Sequence, residues 1–503
     1  MVSTEAMTTE TPETSKPPDI WKALSFLIDG QSDPGEIQQY LKGDGEEDTR
    51  LTEALQMVYS QSSDIDSAEK VELLAKATDL LLTASGHLNL NDQATGGFIV
   101  GKMAKSIEEL SEKGAPFPQL KPAASAIVDT VSTLVEATVF EKEGTLKDES
   151  HLLPPRKRKV YKEKLDKERL ERKQKHWKLK KEAVSALMEM IDHVASALLR
   201  SSAVPESATL GQKTVQLALK KEAELGEEPL SLPAGKVDFP TDDALLPFTS
   251  SSNVGWKITG FNDNPYIWDR SAGDIKSSVV DVTLGDAKGK EIPVNGLSEA
   301  ITIVLQNRPE MFQVGHLVNY KHYDNDTMAY RDFQALENAT YGVTLTVRTA
   351  GFIREARMYG KLGGDPTDID HNFSKFLSWE DFDITGYEGN QTSTAFIVLP
   401  VEKINNGRGQ YTIGLIMDEC LSQKCKYSVD IVRISCRYWE SDDNAWKGDG
   451  CKVSPKTTRE ETICLCDHLT AFGADIVLVP TQGNLCSRSE VGQDSCMVCL
   501  EEY

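Results

Sequence analysis

The residues best suited to chemistry lie near the carboxyl end, in CLCDHLTAFGADIVLVP, residues 464–480. Two cysteines, a histidine and a threonine there precede a run of strand-forming residues. Side chains alternate along an extended strand, so His468 and Thr470 are expected on one face and within hydrogen-bonding reach. An imidazole beside a hydroxyl is the minimal pair of general base and nucleophile. The Thr470 hydroxyl is also placed to attack the carbonyl of Leu469 through a five-membered ring. Such an N-to-O acyl shift turns the amide into an ester, which water then opens.

The surrounding cysteines bear on what holds this stretch. All nine in the chain lie between Cys420 and Cys499, a crowding that fits a local disulfide framework in an oxidising compartment. Cys464 and Cys466 are expected to project to opposite faces of their strand and so to bridge elsewhere, with Cys436 and Cys451 as available partners. A bridge closing about 28 residues would stabilise the fold by about 3 kcal/mol in the chain-entropy model. Paired CxxC knuckles of a zinc site are missing around these residues, so no metal and no cofactor is expected. The tail cysteines Cys486, Cys496 and Cys499 include one CxxC but make an incomplete site. Cys420 and Cys425 are candidates for a small further bridge. Asp365, Asp368 and Asp370 lie close together in GGDPTDIDHN without EF-hand spacing, and read as a solvated turn. Sequons at Asn325, Asn338, Asn372 and Asn390 add weak support for secretion.

The elements that would position the site follow from the hydrophobic periods. At 503 residues and 39% apolar content the chain can bury a sizeable core in two or three units. Residues 1–45, rich in Thr, Glu, Pro, Gly and Asp, read as a flexible lead-in. From 46 to 227 the period is helical. Val71, Leu74, Thr78 and Leu81 form one stripe, Ile127, Val131, Leu134 and Val135 a second. Val184, Leu187, Met188, Ile191, Ala195 and Leu198 form a third. Between the last two, residues 156–181 carry 14 Lys/Arg against 4 Asp/Glu. Val160, Leu165, Leu170 and Trp177 make no continuous seam there. The segment reads first as a solvated helix with i, i+4 ion pairs; an acidic-partner surface, a nuclear-import signal or a processing site is the functional alternative.

After 228 the proline-rich EPLSLPAGKVDFPTDDALLPF ends the helical pattern. Short β-rich runs then recur, among them GWKITGF, SSVVDVTL, AITIVLQ, YGVTLTV and YSVDIVRISCRYW. The expected fold class is α+β: a helical subdomain over 46–227, then a disulfide-stapled antiparallel β-sandwich over 228–480, with a polar tail at 481–503. A formal charge of −23 argues against nucleic acid as a partner. No run of about 18 apolar residues is found, so no membrane span is expected, and the first residues lack the pattern of a secretory signal.

The pattern C-x-C-x-H-L-T-x-F, with CRYWESDDNAWKGDGC before it, resembles the GPS proteolysis site that ends the GAIN domain of adhesion receptors and of the polycystin and receptor-for-egg-jelly family. NDNPYIWDRSAGDIKSSVVDVTL and HLTAFGAD resemble the polycystin branch. The resemblance implies His468 as general base, Thr470 as nucleophile and cleavage between Leu469 and Thr470. It also implies bridges Cys436 with Cys464 and Cys451 with Cys466. The fragment from Thr470 would stay wedged in the sheet through Phe472, Ile476 and Leu478, making the chain's own carboxyl-terminal piece its first partner. Membrane channel or receptor subunits and extracellular ligands are further expected partners, on the extracellular face of the plasma membrane in a full-length protein. Cleavage of this kind is a single event in cis, with no external substrate. The alternative is an uncleaved structural or adhesion module of a soluble or truncated paralogue, in which the same strand only completes the sheet.

Overall fold

A computed structural model describes residues 47–479, apart from 141–154, 310–320, 323–327, 401–408, 418–424 and shorter gaps. The expected lead-in and tail, Asn325, Asn338, Cys420, Cys486, Cys496 and Cys499 lie outside the described residues. Two compact units are formed, one helical and one β-rich.

The helical unit contains α1 (Glu47–Gln61), α2 (Ala68–Ala84), α3 (Leu90–Glu112) and α4 (Phe117–Phe140). Residues Glu182–Ser201 of α5 (Pro155–Ser201) complete it. Ser67 caps α2 by accepting from the Lys70 N–H, and Asn89 caps α3 through the Asn91 and Asp92 N–H groups, satisfying donors that a helix start otherwise leaves open. The three expected stripes are buried save for Met188, which is half-buried. Contrary to the absence of any spanning segment expected above, α4 is long and apolar enough to cross a membrane by length and composition. Of its most apolar window 61% is buried, and its Ile127, Val128, Val131 and Leu134 line the core of this unit.

Strands begin earlier than 228. In chain order they are β1 (Glu206–Leu210), β2 (Val215–Glu222), β3 (Leu230–Leu232), β4 (Gly235–Asp238), β5 (Val254–Phe261), β6 (Val279–Gly285) and β7 (Glu291–Ile292). There follow β8 (Ile301–Gln306), β9 (Lys321–His322), β10 (Ala329–Ala335), β11 (Thr340–Thr349), β12 (Glu355–Leu362), β13 (Phe373–Ser378) and β14 (Asp383–Tyr387). The last are β15 (Asn390–Leu399), β16 (Gly409–Ile416), β17 (Lys426–Glu440), β18 (Ala445–Lys447), β19 (Cys451–Val453), β20 (Glu461–Cys466) and β21 (Ala471–Leu478). The helical span expected to reach 227 therefore ends at Ser201. VQLALKKE in β2 alternates apolar and polar residues at its start and pairs with β5 through eight residues, so tertiary pairing overrides its helix-forming composition.

The large sheet runs β1-β2-β5-β6-β21-β17-β11-β15-β14, and two smaller sheets run β10-β16-β12-β13 and β19-β20-β8-β4-β3. The fifteen residues of β17 serve two cores. Tyr427, Val429 and Ile431 point toward the four-stranded sheet, packing with Tyr411, Ile413 and Met358. Val432, Ile434 and Cys436 have the opposite parity and point toward the five-stranded sheet, packing with Ile303, Leu305 and Cys464. Because side chains alternate, one uninterrupted strand can supply a buried row to each face. The β-sandwich expected from the spacing is thus one long sheet covered on opposite faces by two short ones.

Candidate functional site

The site lies where the chain leaves one sheet for another. Strand β20 pairs with β8 and β19 in the five-stranded sheet, whereas β21 pairs with β17 and β6 in the large sheet. Only Asp467–Thr470 connect them. Facing sheets are ordinarily about 10 Å apart, but here a disulfide joins Cys436 of β17 to Cys464 of β20 with their Cα atoms 5.8 Å apart. The layers converge at this edge, which lets four residues make the crossing. A second disulfide joins the directly paired Cys451 and Cys466 of β19 and β20, with Cα atoms 4.2 Å apart. Cys464 and Cys466 are both fully buried and share one face of β20, correcting the expectation of opposite faces; residues two apart on a strand always share a face. Their Cα atoms, about 7 Å apart along a strand, remain too far for a mutual bridge. Cys425 is buried and disulfide-bonded as well.

Backbone hydrogen bonds pin the crossing from several directions. The Asp467 N–H donates to the Gly450 carbonyl at 3.1 Å, and the Asp467 carbonyl accepts from the Leu297 N–H at 2.7 Å. The Leu469 N–H donates to the Val294 carbonyl at 3.1 Å, and the Thr470 carbonyl accepts from the Val282 N–H at 3.0 Å. His468 bridges Asn295. The chain bends at Asp467 and at Thr470 with a single bridge at His468 between them, so the alternation of a regular strand does not carry from His468 to Thr470.

His468 is buried, with its ring edge-on to Tyr438 at 4.4 Å and tilted against Phe472 at 5.5 Å. Its Nδ1 is 3.0 Å from Asp467 Oδ1, while Nε2 is buried with no hydrogen-bond partner among the described residues. The Thr470 hydroxyl donates to the Trp439 carbonyl at 2.9 Å. The two side chains expected to touch are therefore engaged separately: His468 by Asp467, Thr470 by the backbone of β17. Leu469 is half-buried against the core that the two sheets share.

Around this point the packing is aromatic. Tyr266 stacks on Trp439 at 4.3 Å and meets Trp446 edge-on at 5.5 Å, and Trp268 meets Trp439 edge-on at 5.7 Å. These rings fix the end of β17, whose Trp439 carbonyl holds the Thr470 hydroxyl. Burial, followed by the charge and hydrogen bond of Asp449, pushes the Tyr438 hydroxyl above its ordinary pKa, so a neutral ring faces the imidazole. One strand further on, Arg437 of β17 donates to Asp475 Oδ2 of β21 through Nη2 at 2.9 Å and Nε at 3.3 Å. Burial and then the Asp475 charge push the Asp274 carboxyl up. Phe472, Ala474 and Ile476 of β21 are buried in the same core, whereas Leu478 is 51% exposed, so Leu478 adds little to holding this strand.

The other expected positions carry no such assembly. Lys361 pairs with Asp370 at 2.6 Å, and Thr367 Oγ1 accepts from the Asp370 N–H, closing a turn. Among the described residues no group of three His, Cys, Asp or Glu side chains is arranged to hold a metal. Asn372 is exposed, its Oδ1 accepting from the Leu362 N–H; the Asn390 side chain lies outside the described residues. Residues 155–181 of α5 form a helix laced by Lys159–Glu163, Lys164–Glu168 and Lys167–Glu171 pairs. Sequence reasoning placed Trp439 in the cysteine and tryptophan pattern only, and gave no role to Asp467, Gly450 or Tyr266. Asp467 was open to notice as a carboxylate beside a histidine, but the others meet the site only through the fold.

Residues 410–474 match the family model for GPS, GAIN subdomain B. Polycystin-1-like protein 3 of Mus musculus is 38% identical over 87 residues, 16% of this chain and 4% of that protein. Polycystin-1 of Homo sapiens is 28% identical over 82 residues, covering 15% of this chain and 2% of that protein. Adhesion G-protein coupled receptor G2 of Rattus norvegicus is 42% identical over 50 residues, 9% of this chain and 5% of that receptor. The matches thus span only a small part of each relative.

Proposed function

We propose that this chain, which carries a GPS/GAIN domain of the polycystin family, cuts its own backbone once, between Leu469 and Thr470. The observation that carries the reading is the sheet crossing itself. A buried histidine with an unused ring nitrogen, a threonine and the bond between Leu469 and Thr470 share a four-residue connection pinned by backbone hydrogen bonds and two disulfides. In the reaction, Thr470 Oγ1 bonds to the Leu469 carbonyl carbon as His468 takes the hydroxyl proton. The Leu469–Thr470 C–N bond then breaks, with the proton passing to the Thr470 nitrogen, and water opens the ester. Before it can react, the hydroxyl must turn away from the Trp439 carbonyl.

After cleavage β21 would remain paired to β17 over seven residues, keeping the two fragments together without a covalent link. The module would stand on the extracellular face of a membrane protein, as an element through which the carboxyl-terminal fragment regulates a following membrane region, with channel or receptor subunits and extracellular ligands as partners. N-glycans on the sequon asparagines would fit that location.

The test is secretion of the full chain behind an added signal peptide, beside a Thr470→Ala version, followed by reducing denaturing electrophoresis and amino-terminal sequencing of the small fragment. Two pieces from the parent, the smaller beginning at Thr470, and one from the variant are expected. An intact parent with its disulfides formed would refute cleavage. That result belongs to the second reading, a structural module in which β21 simply completes the sheet. The observation favouring it is that the Thr470 hydroxyl is given to the Trp439 carbonyl and not to His468.

A further inference from the structure

We propose that Asp467 is a positioning residue for this self-cleavage: it fixes the tautomer of His468 so that Nε2 carries a lone pair and no proton. The inference rests on the cleavage reading above and adds a residue to it. An ionised carboxylate only accepts hydrogen bonds, so the imidazole nitrogen 3.0 Å from Asp467 Oδ1, Nδ1, is the one that bears hydrogen. A neutral imidazole has one N–H, which leaves Nε2 bare. That nitrogen is buried and accepts no hydrogen bond among the described residues, so its basic lone pair is held out of water and unspent.

Two further features hold the pair in this arrangement. The backbone of Asp467 is fixed on both sides, its N–H to Gly450 and its carbonyl to Leu297, so its carboxylate is presented by anchored main chain. Gly450 adopts φ +77°, and a Cβ there would lie 2.7 Å from Asp467 Oδ1 and 3.0 Å from His468 Nδ1. The dyad occupies the space left by an absent side chain, at a conformation that favours glycine. Tyr438 and Phe472 flank the ring.

The consequence for the reaction is specific. With Nδ1 protonated, Nε2 can accept the Thr470 hydroxyl proton while Oγ1 bonds to the Leu469 carbon. The imidazolium so formed has two N–H groups, and the Asp467 carboxylate stabilises the one at Nδ1. Nε2 then returns its proton to the Thr470 nitrogen as the C–N bond breaks, and water adds hydroxyl to the Leu469 carbonyl carbon and hydrogen to Oγ1. The opposite tautomer would present an N–H to the hydroxyl and could not take its proton.

Two measurements on the full secreted chain test this. In pulse-chase experiments Asp467→Ala is expected to slow cleavage tenfold or more, and Asp467→Asn, which keeps an acceptor but no charge, to fall between it and the parent. In uncleavable Thr470→Ala protein with nitrogen-15 histidine, signals assigned through a His468→Gln companion should show Nδ1 protonated and Nε2 bare. Adding Asp467→Ala should abolish that bias. Parental cleavage rates in Asp467→Ala, or a protonated Nε2 with Asp467 present, would overturn the inference. If the parent itself does not cleave, the proposed function fails, and the nitrogen spectrum still decides the tautomer. The same spectrum decides if Asp467→Ala is not secreted, because Thr470→Ala alone reports it.

Discussion

Replacing Phe472 by alanine removes the largest side chain that β21 gives to the core between the large and five-stranded sheets. Phe472 is 0% exposed and packs with Ile434, Cys436, Ile301 and Cys464 in one cluster. It belongs to the piece that would be held only by pairing and burial after cleavage. Truncating a buried phenylalanine costs about 3–5 kcal/mol, because the cavity adds to the lost transfer energy. In uncleavable Thr470→Ala protein this is read by urea unfolding, followed by tryptophan fluorescence. Of the described tryptophans, Trp256, Trp268, Trp379, Trp439 and Trp446 lie among the strands and their connections while Trp177 lies on α5, so in a Trp177→Phe background the signal reports the β-rich unit. With a urea slope of about 2–3 kcal/mol/M, the midpoint should fall by about 1–2.5 M. If the chain cleaves as proposed, the same energy weakens retention of the short fragment by about 10²-fold or more, visible as its loss during native gel filtration. A midpoint shift below about 0.3 M would show that β21 is not held by this core, and the account of fragment retention would fail.

Breaking the bridges separately by alanine pairs should destabilise uncleavable protein by about 3–4 kcal/mol for Cys436/Cys464, whose loop spans 28 residues, and about 3 kcal/mol for Cys451/Cys466, whose loop spans 15; urea midpoints would show the ranking. Gly450→Ala should cost about 1–3 kcal/mol of strain and lower the cleaved fraction, since its Cβ would press on Asp467 and His468; unchanged cleavage would contradict the packing described. Burial, opposed by Arg331, raises the Asp430 carboxyl above 3.8, so the folded state binds this proton more readily than the unfolded chain. Stability from this group therefore falls as pH rises through the folded pKa. Asp430→Asn should be the more stable protein at neutral pH, with the advantage shrinking as pH drops toward 3.8; thermal melts across that range would reveal an advantage that persists, against expectation.

The order of helical and β-rich parts was legible because burial imposes its period on the chain. The stripes through Val71, Ile127 and Val184 each mark a helix face turned to a core, and runs such as GWKITGF mark strands. Residues 206–222 were not, since VQLALKKE carries helix-forming residues and becomes a strand only by pairing with β5. The same limit applies at the site. His468, Leu469 and Thr470 are neighbours along the chain, so their types and spacing alone raised the chemistry. Which atom each of them faces depends on groups far away in sequence: the Trp439 carbonyl thirty-one residues earlier, Val294 and Leu297 in the connection from β7 to β8, and Gly450 against the imidazole. Local sequence determines residue type and period; a bend at a crossing between sheets has no period of its own. Its geometry is set by the layers it joins, and only their packing around Cys436 and Cys464 decided where His468 and Thr470 point.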